Sequence, residues 1–123
     1  MPLAWIVDDD AEMSEAIQLM LQLIGFKAQK FLDARAAARR LLAGERPNVI
    51  ILDIMMPGVS GIDMLEFLRT RKEFQPIPVV MLSSETTDVQ VEEALQLGAD
   101  AFIFKPVTME ELEAALRKAI ASH

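Results

Sequence analysis

The sequence predicts a doubly wound α/β fold: a five-stranded parallel sheet of order 2-1-3-4-5 with five helices on its two faces. Three observations carry this. Apolar runs of strand length alternate five times with amphipathic helical segments. The first, third and fourth runs are almost continuously apolar, which fits parallel strands covered on both sides. The second run carries Lys27, Gln29 and Lys30, the charge pattern of an edge strand.

Each element has its own local signal. Leu3 to Val7 is the first strand. Ala11 to Ile24 follows as a helix, with Met13, Ile17, Met20, Leu21 and Ile24 at helical spacing and Gly25 as its stop. Phe26 to Phe31 is the second strand. Asp33 can cap a helix running to Ala43, closed by Gly44. Val49 to Leu52 is the third strand and ends in Asp53. Pro57, Gly58 and Gly61 mark a loop, and a helix is expected from about Ile62 to Lys72. Ile77 to Leu82 is the fourth strand. Thr87 with Gln90 resembles a capping box that opens a helix ending at Gly98. Ala101 to Phe104 is a short fifth strand. Thr108 with Glu111 is a second capping box, and Leu112, Leu116 and Ile120 stripe the last helix.

Composition narrows the chemistry. A chain of 123 residues is the size of one domain, and residues 1–123 are read as one. Size scaling predicts a folded surface of roughly 6,600 Å², enough for a true core. There is no cysteine, which excludes disulfides, thiolate metal sites and a cysteine nucleophile. The one histidine is His123, so a His-based triad or a His-ligated metal is not expected. Nineteen acids against twelve bases give a net charge of −7, which argues against a direct grip on nucleic acid or anionic lipid. No apolar run reaches the ~20 residues of a membrane span. No leader pattern precedes the aspartates, so a cytoplasmic location is expected.

Ligands of doubly wound sheets sit at the C-terminal strand ends, beside the switch between strands one and three. Strand one ends in Asp8, Asp9 and Asp10, and strand three in Asp53. Strand four ends in Ser83 and Ser84, and strand five in Lys105 before Pro106. Carboxylates so close must share protons or a cation. Oxygen ligands without His or Cys suit Mg²⁺ or Mn²⁺. A divalent cation and Lys105 around a carboxylate could neutralise a transferring phosphoryl group, with Asp53 as nucleophile. Taken singly, each residue has a plainer role. The acidic triplet could be a solvated loop with Asp10 a helix cap, and Asp53 could cap the next turn. Ser83 could be a turn residue, Lys105 a lysine with its head in water, Phe102 core, and Met55 and Met56 gap-fillers. Their conjunction at four strand ends favours one site.

These residues resemble the receiver domain of two-component response regulators, over about Leu3 to Ile120. The likeness lies in Asp8-Asp9, in Asp53, in Met56-Pro57-Gly58 with Gly61, in Ser83, in Gly98-Ala99-Asp100 and in Lys105-Pro106. The resemblance implies that Asp53 is the phosphoacceptor. It implies that Asp9 ligates Mg²⁺ directly, with Asp8 helping, often through water, and that the backbone carbonyl of Met55 is a further protein ligand. Lys105 and Ser83 would bind the phosphoryl group, and Phe102 would be the switch aromatic. The Lys105-Pro106 bond is often cis in the family. The implied protein is a regulator rather than an enzyme. Its donor would be a sensor histidine kinase or a histidine phosphotransfer protein. Its output would run through the fourth helix, fifth strand and fifth helix to an output domain, a downstream protein or a second copy. Val89, Val91 and Leu95 give that helix apolar residues on more than one face. Phe102 has no phenol hydroxyl, and Met55 and Glu85 stand where the family tunes phosphoryl hydrolysis. A haloacid-dehalogenase-type phosphatase would want an acid at position 55, where Met stands. A flavodoxin-like carrier would set a phosphate against Asp8 to Asp10. A receiver-like scaffold that is never phosphorylated remains the alternative.

Overall fold

The computed structural model describes residues 1–84 and 88–123, with backbone alone at 88–90. Its elements are β1 (Leu3–Val7), α1 (Ala11–Leu23), β2 (Lys27–Phe31), α2 (Ala34–Leu42), β3 (Val49–Asp53), α3 (Gly61–Thr70), β4 (Val79–Ser83), α4 (Asp88–Leu97), β5 (Ala101–Phe104) and α5 (Met109–Ala121). The five strands form one sheet of order β2-β1-β3-β4-β5, every neighbour parallel. The expected architecture is present, with β2 and β5 as its edges. The folded surface is 6410 Å².

Strand periodicity sorts the apolar side chains into two cores. Trp5, Val7, Ile50, Leu52, Val79 and Met81 point to the face covered by α2, α3 and Ala94 of α4. Ala4, Ile6, Val49, Ile51, Val80 and Leu82 point to the face covered by α1 and α5. The four apolar residues of β3, Val49 to Leu52, are fully buried. Burial of such side chains is worth ~1.5–3 kcal/mol each, so the centre of the sheet is its most strongly held part.

Helix starts follow the caps. Asp10 accepts from Met13 N at 3.1 Å, and Asp33 from Ala36 N at 2.7 Å. Thr108 Oγ1 accepts from Glu111 N at 3.2 Å and donates to the Glu111 carboxylate at 3.0 Å.

Four expectations need correction. α3 starts at Gly61, where Ser60 and Asp63 form a reciprocal capping box, and ends at Thr70, because Arg71 is already extended. β4 starts at Val79, not Ile77: Ile77 N closes a turn onto Phe74 O, and Pro78 has no N–H for the ladder. α5 buries Leu112, Ala115, Leu116 and Ala119, while Ile120 is 42 % exposed. Met55 fills no gap, since it is 55 % exposed, whereas Met56 is buried. The Thr87–Gln90 cap, Glu85 and the Val89 side chain lie outside the described residues.

Candidate functional site

The parallel sheet brings the C-terminal ends of β1, β3, β4 and β5 together. Asp8 directly follows β1 and is fully buried; Asp9 beside it is exposed. Asp8 is held at both ends: its Oδ1 accepts from Asp10 N at 3.0 Å, and its backbone carbonyl accepts from Ser14 Oγ at 3.3 Å. Asp53 ends β3 and is 3 % exposed. One carboxylate oxygen from each of Asp8, Asp9 and Asp53 lies within 4.8 Å of the others.

Lys105 reaches back over this cluster. Its Nζ stands 3.2 Å from Asp53 Oδ1 and 3.4 Å from Asp8 Oδ2. The lysine is anchored by its own backbone, whose N–H donates to Ser83 O at 2.8 Å, and the Lys105–Pro106 peptide is cis. The plain reading of a lysine with its head in water does not hold.

The electrostatics are unbalanced towards negative charge. Burial pushes the Asp53 carboxyl from 3.8 up to about 6, and the nearby Asp8 charge adds to this; Lys105 opposes both without cancelling them. For Lys105, burial pulls down, but Asp53 and Asp8 outweigh it and the ammonium is held more firmly than usual. Asp8 Oδ2 is fully buried and has no hydrogen bond among the described residues, its one ion-pair partner being the Lys105 ammonium at 3.4 Å, which is shared with Asp53. A buried carboxylate oxygen in that condition carries a cost that a hard cation would remove. The all-oxygen donor set fits such a cation.

Ser83 is fully buried at the end of β4, in register with Phe104 of β5. Phe102 is half-buried against the α2–α3–α4 core, its ring 5.2 Å from that of Phe104. Met55 follows Asp53 by two residues, with its side chain in solvent. Asp53 does not cap α3; Ser60 does.

Gly61 matters more than its place in a loop suggests. Its N–H donates to Ile54 O at 2.9 Å, and a Cβ there would stand 2.1 Å from the Asp53 carbonyl oxygen. Only glycine lets the first turn of α3 close on the end of β3. Ser14, which holds the Asp8 carbonyl, has no sequence marker beyond a hydroxyl on the apolar side of α1. Asp100 is more than a member of the Gly98-Ala99-Asp100 motif. Its Oδ2 is 2.9 Å from Arg69 Nη2, from Val79 N and from His123 Nε2.

Comparisons with known proteins place the fold in a family. The family model of the response regulator receiver domain matches residues 4–117. The chain therefore belongs to the response regulator receiver family. Among relatives, the DNA-binding response regulator MtrA of Mycolicibacterium paratuberculosis is 38% identical over 115 residues, covering 91% of this chain and 48% of that protein. The phosphate regulon regulatory protein PhoB of Pseudomonas aeruginosa is 32% identical over 112 residues, covering 91% and 48%. The chain thus spans about half the length of these relatives. The chemotaxis protein CheY4 of Vibrio cholerae superposes with a TM-score of 0.88 at 27% identity, covering 97% of this chain and 98% of that one. Among the described residues no helix is long and apolar enough to cross a membrane.

Proposed function

We propose that residues 1–123 act as a single receiver domain, a cytoplasmic phosphorylation switch in which Asp53 is the phosphoacceptor. The observation that carries this is the Lys105 ammonium set between Asp8 and Asp53 over a three-carboxylate cluster. The donor is a phosphohistidine of a sensor kinase or phosphotransfer protein. An Asp53 carboxylate oxygen forms a bond to phosphorus as the phosphorus–nitrogen bond breaks. The electron pair leaves with the imidazole nitrogen, which takes up a proton. In the metal-free domain the Asp53 carboxyl stands at about 6, and a cation held beside it would favour the ionised, nucleophilic form.

Asp8, Asp9, Asp53 and the backbone carbonyl of Met55 would hold Mg²⁺, with Mn²⁺ able to replace it. When bound, that ion supplies positive charge to the phosphoryl oxygens. Lys105 supplies the second positive charge on the other side. Ser83 then donates its hydroxyl to the phosphoryl group, and Phe102 turns inward. The surface of α4, β5 and α5 changes and controls an output domain, a downstream protein or a second copy. The domain has no turnover beyond gaining and losing its own phosphoryl group.

The test is intact mass after incubation with Mg²⁺ and acetyl phosphate, beside Asp53→Asn. One phosphoryl adduct is expected, absent in the variant and absent with EDTA. No adduct, together with no binding of beryllofluoride, would sink the proposal in favour of a receiver-like scaffold.

A further inference from the structure

Charge is divided unevenly along this chain. Residues 27–46 hold six of the twelve bases and two of the nineteen acids, a local +4 in a molecule of −7. Within that stretch Arg40 is paired with Glu45, and Arg46 donates to Leu41 O and Glu45 O. Arg35 and Arg39 are different. They lie one turn apart on α2, both exposed, and neither has an ion-pair partner among the described residues. Both line an open groove of about 480 Å³, whose other walls include Leu32, Pro57 and Val59. Leu32 is 56 % exposed there. Asp33, on the rim, is occupied as the cap of α2.

We infer that this groove between α2 and the loop after β3 docks an acidic segment of a partner protein that also carries an apolar side chain. Two unpaired guanidiniums supply the charge, and Leu32, Pro57 and Val59 supply the apolar contact. An extended polyanion such as duplex DNA fits less well. It would run from this patch into the field of the remaining seventeen acids, whereas a short peptide feels mainly charges within a Debye length of ~8 Å. Residues 57–59 follow Asp53 by only a few positions, so a bound segment leans on the loop that leaves the site.

The experiment is a ¹⁵N NMR titration of the whole chain. The probe is a synthetic peptide of roughly 12 residues alternating Glu and Leu, compared with its Lys–Leu counterpart. Saturable shifts are expected at residues 32–39 and 57–59 with the acidic peptide only. Affinity should fall roughly tenfold between about 50 and about 300 mM salt. The doubly reversed variant, Arg35→Glu with Arg39→Glu, should lose binding by at least about tenfold. Its unchanged spectral dispersion and unchanged acetyl phosphate adduct would show that the fold and the Asp53 site persist. Shifts elsewhere, or shifts indifferent to the double reversal, would overturn the inference. So would tighter binding of a DNA duplex, or self-association that the reversal abolishes.

Discussion

Replacing the central carboxylate should make the metal-free protein more stable. Asp53 is raised from 3.8 to about 6, first by burial and second by the charge of Asp8. The folded state therefore holds a proton on Asp53 more tightly than the unfolded chain does. The stability this group contributes is present at low pH and is lost as pH rises from about 3.8 to about 6. The full shift corresponds to about 3 kcal/mol. An effective dielectric constant of about 20, typical even of buried sites, leaves about 1–2 kcal/mol of it. Asp53→Asn keeps the shape and removes the charge, and Lys105 keeps Asp8 at 3.4 Å as a partner. The assay is urea unfolding in EDTA, followed by emission of Trp5, the single tryptophan, which is fully buried. At about pH 7.5 the variant should gain about 1–2 kcal/mol, and the gain should fade towards about pH 4. Millimolar Mg²⁺ should stabilise the parent more than the variant and shrink the difference. Equal or lower stability of the variant at about pH 7.5 in EDTA would refute the reasoning, as would a gain that does not depend on pH.

Other perturbations separate the parts of the site. Lys105→Met should slow acetyl phosphate labelling by roughly 10–100-fold, read from the mass time course, because one of two positive charges on the transferring group is gone. Gly61→Ala drives a methyl group against the Asp53 carbonyl and should cost about 3 kcal/mol in urea unfolding while also slowing labelling. Arg69→Ala breaks the pair with Asp100, whose side chains are 13% and 11% exposed, and should cost about 2–4 kcal/mol with labelling retained. Met55→Asn sits in solvent, so stability should move by less than about 0.5 kcal/mol. An asparagine there can orient water, and the phosphoryl adduct should decay faster in a mass chase; an unchanged decay would count against that role.

The topology was legible because each strand carried its own marker. Continuous apolar runs identified β1, β3 and β4, and Lys27 and Lys30 marked β2 as an edge. Strand-end positions then delivered Asp8, Asp53 and Lys105 to one place. What the sequence left hidden depends on contacts made across the fold. Ser60 and Asp63 form a capping box as sound as the one looked for at Thr108, but a loop was expected to run through Gly61. Ile77 reads as strand from its neighbours, and only the turn onto Phe74 removes it. The role of Gly61 requires knowing that α3 closes onto the Asp53 carbonyl. The three donors on Asp100 come from α3, β4 and the last residue, and no local pattern joins them.

The two ends of the sheet divide the work unequally. At the N-terminal ends of β4 and β5, Arg69 ties α3 to Gly98 O, Gln75 O, Ile77 O and Asp100. At the opposite ends, the carboxylate cluster costs stability. That cost is tolerable because Asp53 grows out of β3, which is flanked by β1 and β4 and buries all its apolar residues. A new charge on Asp53 therefore has little chance of moving β3 itself. β5 is paired on one side only, and of the described α4 side chains, residues 91–97, only Ala94 is buried. Few buried contacts mean a small free energy for local displacement. The Arg69 bond to Gly98 holds α4 at its C-terminal end. Under the proposed function, a displacement driven from the site meets least resistance in β5 and in the lightly packed described part of α4.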